Sequence, residues 1–403
     1  MTMLRYSWCI WDDENTGWQI AGSTLSSSSR AGTNKAAHRQ SKSPRFSLTH
    51  SQLRGSHTTR TTSMDVSQLY NVGRNLAQEY PYVAAFFLGL GALSATRTVF
   101  QTLFVFLQLF ILPGTSLKRF GAKKGAWAVI TGATDGIGKE FAFQLAKAGF
   151  NVFLVARNNR LLESTASEIE KKYPGVSTKI HSIDFSTQEE ASYVSLGAAF
   201  SGLDVGVLVN NVGKSHDMPA YFVDTPYDEM LDIVSINVTA TLRVTYSVLP
   251  GMVQRKRGLV LNIGSFAGAI PSPMLATYSG TKGFLTTFSS ALGEEVAQHN
   301  IIVENVNTYF VVSKLSKIRK ASALIPQPGP YVRSVLSKVG LPGGAAYSNR
   351  PNTTTPYWSH GLLDYVLTLF NLRGTAIKYT HRLHSGIRKR ALRKLERESK
   401  RAQ

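Results

Sequence analysis

The chain of 403 residues contains one cysteine, Cys9, and few acidic side chains: 25 Asp and Glu stand against 45 Lys and Arg. A single cysteine excludes an intrachain disulfide framework and a zinc site built from cysteines. His, Asp and Glu show no spacing typical of a ligand set, so we predict no metal. Charged residues make up 17% of the chain and hydrophobic residues 43%. This composition excludes a fully disordered protein.

The net charge of +20 is concentrated at the two ends of the chain. Residues 1–63 carry 8 basic and 3 acidic side chains, and residues 373–403 carry 11 and 2. The remaining residues, 64–372, carry 26 basic and 20 acidic side chains, which is close to the balance of an ordinary domain. A nucleic-acid-binding domain has its basic residues clustered on its own surface. We therefore predict no nucleic-acid partner.

Residues 1–63 lack a sustained apolar period and are rich in Ser, Thr and Arg. One interpretation is a disordered or mis-assigned leader, with Met64 as an alternative start. The other is a transit peptide, because residues 21–62 are rich in Ser and Arg and contain no acid.

Residues 64–120 contain two uncharged stretches, 81–96 and 98–117, separated by Arg97. A bilayer core requires ~20 apolar residues, so we predict a membrane anchor with a span of about 98–117. Two segments paired around Arg97, an interfacial helix and a buried core helix are the alternatives. A positive flank marks the cytoplasmic side of a span. Such a flank follows at once, as Lys118, Arg119, Lys123 and Lys124.

After residue 126 the pattern changes to short apolar runs that alternate with amphipathic stretches. The runs cover 127–131, 151–156, 178–183, 204–209, 258–264 and 300–306. The longest amphipathic stretches cover 137–148, 159–172 and 276–298. This alternation predicts an α/β fold with a doubly wound parallel sheet of the Rossmann type. We place this domain at 121–320, followed by a substrate-side, membrane-proximal segment at 321–372 and a basic tail at 373–403.

A glycine-rich turn, TGATDGIG, occupies residues 131–138 between the first predicted strand and a helix. Glycines permit a tight turn and a close backbone approach, so the helix N-terminus can receive a pyrophosphate. An ordinary strand-to-helix turn is the alternative. The candidate cofactor contacts in this turn are Gly132, Asp135, Gly136, Ile137 and Gly138.

Arg157 follows the second predicted strand, where NAD-binding proteins usually present an acid to the ribose hydroxyls. A guanidinium suits a 2′-phosphate instead. The residue therefore favours NADPH over NADH, although a solvated loop arginine would look the same in sequence.

Ser265, Tyr278 and Lys282 form the candidate catalytic set. In a helix over 276–298, Tyr278 and Lys282 lie one turn apart on the same face. A free tyrosine has a pKa of ~10, and a nearby ammonium is expected to lower it. Tyr278 could then protonate a carbonyl oxygen while hydride arrives, with Ser265 holding that oxygen.

These motifs, in this order, resemble those of the short-chain dehydrogenase/reductase family over roughly residues 124–320. The resemblance implies that Asp184 contacts adenine and that Asn237 joins the catalytic set. It implies that the motif Asn210–Gly213 borders the cofactor, with Asn210 and Gly213 as contacts, and that Tyr278 and Lys282 also touch the cofactor. Val311 and Ser313 are the candidates for contact with the nicotinamide carboxamide. Where the family has Pro-Gly, this chain has Thr308 and Tyr309.

Within the family, four segments look like the membrane-bound very-long-chain 3-oxoacyl-CoA reductases of the endoplasmic reticulum and their 17β-hydroxysteroid dehydrogenase relatives. They read ATDGIGKEFAFQLA, NNVGKSH, YFVVSKLSKIRK and TPYWSHGLLDYVL. The resemblance implies NADPH, a long-chain 3-oxoacyl-CoA substrate, other elongation-cycle enzymes as partners, and an endoplasmic reticulum membrane location with the catalytic domain in the cytosol. A 17β-hydroxysteroid dehydrogenase and a non-catalytic scaffold subunit that binds nucleotide stay open as alternatives.

Three further features are ambiguous in sequence. His216 lies either near the substrate mouth or on an exposed loop. The tail 373–403 reads either as an interfacial helix on anionic lipid or as a solvated basic tail. Its Lys400 and Arg401 resemble a dibasic retrieval signal of endoplasmic reticulum membrane proteins. Residues 361–370 are apolar but too short to span a bilayer, and they contain Asp364.

Overall fold

The structure, a computed structural model, describes residues 65–402. The residues from Gly73 onward form one compact unit. The unit before it, Met1–Val72, is described only from residue 65, and a helix begins there at Val66. The predicted leader at 1–63 therefore lies outside the described residues.

Seven parallel strands form one sheet with the order β3-β2-β1-β4-β5-β6-β7. The strands are β1 Trp127–Thr131, β2 Asn151–Ala156, β3 Thr178–Ser182, β4 Val205–Asn210, β5 Gly258–Ile263, β6 Ile301–Val306 and β7 Thr353–Thr354. The first six agree with the predicted runs to within one residue at each end. The predicted fold class, a doubly wound parallel sheet, is confirmed.

The sheet is buried on both faces, which is why its central strands read as continuous apolar runs rather than alternating ones. Successive side chains of β1 point to opposite faces. Ile130 packs with helix residues such as Leu145 on one side, and Val129 packs with Val244 on the other. One core cluster therefore lies on each face of the sheet.

Twelve α-helices are described within residues 65–402. They are α1 Val66–Glu79, α2 Pro81–Phe110, α3 Gly136–Ala148, α4 Asn159–Lys172, α5 Glu190–Phe200, α6 Tyr227–Val234, α7 Ala240–Arg255, α8 Phe266–Ala269, α9 Ala276–Ala297, α10 Pro328–Ser337, α11 Trp358–Leu369 and α12 Arg373–Ala402. Helices α3, α4 and α10 cover one face of the sheet, and α5, α7 and α9 cover the other. A π-helical turn, Ser235–Thr239, joins α6 to α7.

Helix α2 differs from the span that we predicted at 98–117. It begins at Pro81, continues through Arg97 and ends at Phe110. Proline fits the first turn of a helix, and an exposed arginine does not interrupt one, so neither residue divides the segment. By length and composition, α2 is the one helix in the described part of the chain that could cross a membrane; its mean hydropathy is 1.5 over the most apolar window.

Only the C-terminal turns of α2 pack against the folded unit. The Thr102 and Tyr365 hydroxyls are 2.7 Å apart, and the Gln108 side chain accepts a hydrogen bond from the Gly343 amide at 2.8 Å. Over residues 81–101 no side chain is buried. Helix α2 therefore has an exposed apolar N-terminal part, residues 81–101, and a C-terminal part that packs on the folded unit.

The segment 321–372 is built into the sheet edge. Strand β7 lies within it and pairs with β6. Asp364 on α11 is buried and accepts hydrogen bonds from Thr355 at 2.6 Å, Asn307 at 3.1 Å and Arg350 at 2.6 Å. This paired carboxylate fixes α11 against the strands, which explains an acidic residue in an apolar stretch.

Gly138 tests the packing of α3 on β1. An alanine methyl at this position would lie 2.2 Å from the Gly132 carbonyl oxygen and 2.4 Å from Asn211 Nδ2. Because backbone must move to admit it, we expect Gly138→Ala to lower the free energy of unfolding by about 1–3 kcal/mol. Denaturant unfolding of the purified protein measures this.

Gly280→Ala is the matched control, since no heavy atom lies within 4 Å of the added methyl. It is expected to be neutral or to stabilise helix α9 by up to ~1 kcal/mol. Equal stability of the two variants would contradict the packing described for Gly138.

Candidate active site

A groove of about 690 Å³ runs along the carboxyl ends of β1, β2 and β4. Gly132 and Gly136 adopt left-handed backbone conformations, with φ of 65° and 52°, which favour glycine. They turn the chain so that the free amides at the start of α3 face the groove, as an anion-binding site requires. Six of the predicted cofactor residues in this region line the groove: Gly132, Asp135, Gly136, Ile137, Arg157 and Asp184.

Gly138 has a different role from its two neighbours in the turn. It is buried beneath the groove, where α3 approaches the Gly132 carbonyl and the Asn211 amide. It therefore permits the helix to pack closely on the strand rather than lining the groove.

Arg157 and Asp184 lie together at the end of this groove, with 3.7 Å between guanidinium and carboxylate. Burial raises the pKa of Asp184, but hydrogen bonds from the Ser186 amide and hydroxyl, together with Arg157, outweigh it, so the pKa is lowered overall. The Arg157 side chain is 71% exposed and can turn toward an anion in the groove.

The structure separates Asn210 from its neighbour Asn211. The Asn210 amide is buried and donates to Thr245 at 2.9 Å and to Asn262 at 2.8 Å, beneath the site. Asn211 lines the groove and donates to the Thr131 carbonyl at 3.0 Å. Asn211, which the sequence reasoning did not select, thus takes the groove position expected for Asn210, while Gly213 does line the groove.

A second cavity, of about 500 Å³, is lined by Ser265, Tyr278 and Lys282 together with mostly apolar side chains. Ser265 follows β5 and caps the short helix α8 by accepting a hydrogen bond from the Ala267 amide. Lys282 Nζ donates to the Ile263 carbonyl at 2.8 Å and lies 5.8 Å from the centre of the Tyr278 ring. The three predicted side chains therefore meet in one cavity.

The pKa of Tyr278 does not move in the direction that the sequence suggested. Burial raises it, and the hydrogen bond with Ser265 acts in the opposite direction without reversing the effect. Burial also lowers the pKa of Lys282 to about 8. Desolvation thus dominates at both groups: it raises the tyrosine pKa, which the sequence analysis expected an ammonium to lower, and it lowers the lysine pKa.

Asn237 lies in the π-helical turn between α6 and α7. Its Oδ1 accepts from the Lys214 amide at 2.8 Å, and its Nδ2 donates to the Lys214 carbonyl and the Thr281 hydroxyl, both at 2.9 Å. The residue thus joins the loop after β4 to helix α9. A Cβ on Gly213 would lie 3.4 Å from Asn237 Oδ1 and 3.9 Å from Lys282 Nζ, so Gly213 borders both polar groups.

The loop that begins with Thr308 and Tyr309 is held by packing. The Thr308 hydroxyl lies 2.6 Å from that of Tyr331. The Tyr309 ring contacts those of Phe266 and His360 at centroid distances of 5.4 and 5.8 Å. This arrangement fixes a loop that has lost the Pro-Gly pair. Val311 and Ser313, the predicted carboxamide contacts, both line the catalytic cavity, and Ser313 also lines the groove.

Two histidines differ in location. The His216 ring is buried beside the groove, with Nδ1 2.8 Å from Glu229, so it is neither on an exposed loop nor at the wall of the catalytic cavity. His360 is fully buried, and its Nε2 lies 3.0 Å from the Leu324 carbonyl. Burial lowers the pKa of His360 to about 4, so this ring is neutral and serves the packing of the Tyr309 loop.

The tail contributes to the cavity, which the sequence reasoning missed. Six residues of α12 line it: Thr375, Ala376, Tyr379, Thr380, Leu383 and His384. The spacing of these residues predicts an amphipathic helix, whose apolar face could pack on a bilayer or on protein. The many basic residues of the tail favoured the bilayer.

Known proteins share this architecture. Residues 126–323 match the family described as short chain dehydrogenase. The chain is 71% identical over 337 residues to the very-long-chain 3-oxoacyl-CoA reductase of Laccaria bicolor, and the match covers 84% of this chain and 99% of that protein.

Among solved structures, a 7β-hydroxysteroid dehydrogenase aligns with a TM-score of 0.57 at 24% identity, covering 66% of this chain and 99% of that one. A short-chain dehydrogenase from Sphingobium yanoikuyae in complex with NADPH aligns with a TM-score of 0.51 at 23% identity, covering 62% and 93%. These likenesses agree with the parallel-sheet fold. The family match and the Laccaria bicolor relative together show that the chain belongs to the short-chain dehydrogenase/reductase family and is an oxidoreductase that uses a nicotinamide cofactor.

Proposed function

We propose that this protein uses NADPH to reduce very-long-chain 3-oxoacyl-CoA to 3-hydroxyacyl-CoA, the ketoreductase step of fatty-acid elongation. The observation that carries the proposal is that Ser265, Tyr278 and Lys282 together line a largely apolar cavity. The Laccaria bicolor relative, which bears the corresponding name, matches over nearly its whole length.

The glycine turn and the N-terminus of α3 would hold the pyrophosphate, and the cavity beside Val311 and Ser313 would hold the nicotinamide. When bound, the cofactor supplies a hydride to the carbonyl carbon of the substrate. The chain's own residues handle the oxygen: the Ser265 and Tyr278 hydroxyls bind it, and Tyr278 gives it a proton. The reduction requires the protonated tyrosine, and the raised pKa of Tyr278 keeps that form present at neutral pH.

Lys282 acts on the state that follows proton transfer. Its pKa of about 8 leaves the ammonium form dominant at neutral pH. A positive charge near the tyrosine ring favours the phenolate that the transfer leaves behind. The hydrogen bond to the Ile263 carbonyl holds the ammonium in place for this role.

Tyr278→Phe tests the mechanism. It removes the proton donor while keeping the ring, so we expect turnover of 3-oxopalmitoyl-CoA with NADPH to fall about 10²- to 10⁴-fold. Consumption of NADPH by the purified protein measures it. The control is Tyr246→Phe, which alters a tyrosine that is 81% exposed on α7 and is expected to retain wild-type turnover.

Undiminished turnover by Tyr278→Phe would overturn the mechanism. Binding of NADPH by the wild type, with no turnover of any carbonyl substrate, would favour the scaffold alternative. Reduction of a 17-ketosteroid by the wild type, with none of the acyl-CoA, would favour the steroid dehydrogenase instead.

The preference for NADPH rests on Arg157, whose exposed guanidinium lies at the groove end where a 2′-phosphate would be bound. Charge-assisted hydrogen bonds contribute about 1.5–3 kcal/mol each. We expect Arg157→Asp to raise the KM for NADPH at least about tenfold more than the KM for NADH. Steady-state kinetics with both cofactors measures the difference.

Arg160→Asp makes the same charge change on an exposed α4 residue that does not line the groove, so both KM values should stay near wild type. An equal rise of the two KM values in Arg157→Asp would contradict the role proposed for this residue.

The membrane proposal rests on residues 81–101 of α2, which have no buried side chain. At ~1.5 Å per residue this length is about 31 Å, matching a bilayer core of ~30 Å. Basic residues such as Lys118 and Arg119 follow the helix and favour a cytosolic position for the catalytic unit. We propose the endoplasmic reticulum membrane, with elongation-cycle enzymes as neighbours, from the resemblance to the reductases of that compartment.

Deletion of residues 1–100 tests the anchor. It removes the free length of α2 but keeps Thr102 and the following turns that pack on α11. We expect the shortened protein to move from the membrane pellet to the soluble fraction and to keep its turnover. Deletion of residues 392–402 is the control and should leave the protein in the pellet. Continued pelleting of the first variant would identify the basic helix α12 as the membrane-binding element.

A further inference from the structure

We propose that the inner face of helix α12 is the acyl-chain subsite of the catalytic cavity and that it determines which chain lengths are reduced. The inference rests on the proposed function and adds which part of the protein would bind the acyl chain. The segment concerned lies outside the family match at 126–323.

The α12 residues that line the cavity fall into three pairs spaced four apart along the chain: Thr375 and Ala376, Tyr379 and Thr380, Leu383 and His384. Residues four apart lie one above the other on a helix. The pairs therefore form one continuous strip along the cavity wall, about two turns long.

The wall that this strip faces is apolar. Leu363 and Leu367 of α11 line the same cavity, as do Phe310 and Leu315 from the loop after β6. Its volume of about 500 Å³ lies in the range of ~300–1,000 Å³ that is usual for small-molecule sites. The Ser265 and Tyr278 hydroxyls line the same cavity, so a ligand with its carbonyl at these hydroxyls would place an uncharged body against the apolar side chains.

Helix α12 is fixed to the two loops that border the cavity. His384 Nδ1 lies 2.7 Å from the Pro273 carbonyl oxygen. Arg388 donates to the Pro219 carbonyl at 3.1 Å and to Asp224 at 3.2 Å. The helix is thus an ordered part of the cavity wall, so its side chains can select among ligands.

The basic residues of α12 that are exposed, including Lys378, Arg382 and Lys389, point away from the strip. Burial lowers the pKa of His384, so this ring is neutral at neutral pH. No full charge therefore faces the cavity from α12. An uncharged alkyl chain fits such a surface, because each methylene that is buried there is removed from water and strengthens binding.

Ala376 and Thr380 are two small residues of the strip, one turn apart, and they leave room that a longer chain can occupy. Ala376→Phe adds a ring to this wall. We expect the ratio of kcat/KM for 3-oxopalmitoyl-CoA to that for acetoacetyl-CoA to fall at least about tenfold, equivalent to ~1.4 kcal/mol. Thr380→Phe should lower the same ratio.

Lys378→Phe is the matched control, since it places the same ring on the exposed face of the same helix and should keep the wild-type ratio. The melting temperature of each variant is measured beside its kinetics. If Ala376→Phe melts far below the wild type, Ala376→Leu replaces it. A wild-type ratio in folded variants at both 376 and 380 overturns the subsite while the proposed function stands. Absence of turnover of either acyl-CoA by the wild type overturns the proposed function itself.

Discussion

The rest of the active site depends on the hydrogen bond that Lys282 donates to the Ile263 carbonyl, because this bond holds helix α9 against strand β5. A buried polar chain continues beneath it. Asn262 of β5 donates to Ser289 of α9 at 2.9 Å and accepts from Asn210 of β4 at 2.8 Å. Unpaired polar groups at this depth would cost free energy, so each partner fixes the next. Asn210 is therefore a buried residue that supports the site through hydrogen bonds, while Asn211 faces the groove.

Burial also sets the chemistry. With little water around them, Tyr278 holds its proton more tightly and Lys282 holds its proton less tightly than either does in solution. A reductase requires a tyrosine that is protonated until charge develops on the substrate oxygen, so the raised pKa serves the proposed direction of reaction. The loop at Thr308 and Tyr309 follows the same principle. It replaces the rigidity of proline with a buried hydroxyl pair and aromatic contacts around the neutral ring of His360.

Helix α11 joins the proposed membrane anchor to the active site. Tyr365 on one side meets Thr102 of α2, while Leu363 and Leu367 on another side line the catalytic cavity. Helix α11 therefore contacts both the C-terminal part of α2 and the cavity. For the long-chain substrate proposed above, this arrangement would place the proposed anchor close to the cavity that receives the acyl chain.

The sequence by itself determined the sheet, the glycine turn and the catalytic set, because each depends on local patterns: continuous apolar runs for β1 to β6, positive φ at Gly132 and Gly136, and a one-turn spacing between Tyr278 and Lys282. Tertiary structure decided the features that depend on contacts between residues distant in sequence. The two-residue strand β7 exists only through its pairing with β6, and the raised pKa of Tyr278 follows from burial by elements distant in sequence. The charge pattern of α12 is compatible with a membrane, with solvent or with a cavity wall. Only the contacts of His384 and Arg388 with the loops around the cavity assign its inner face to the active site.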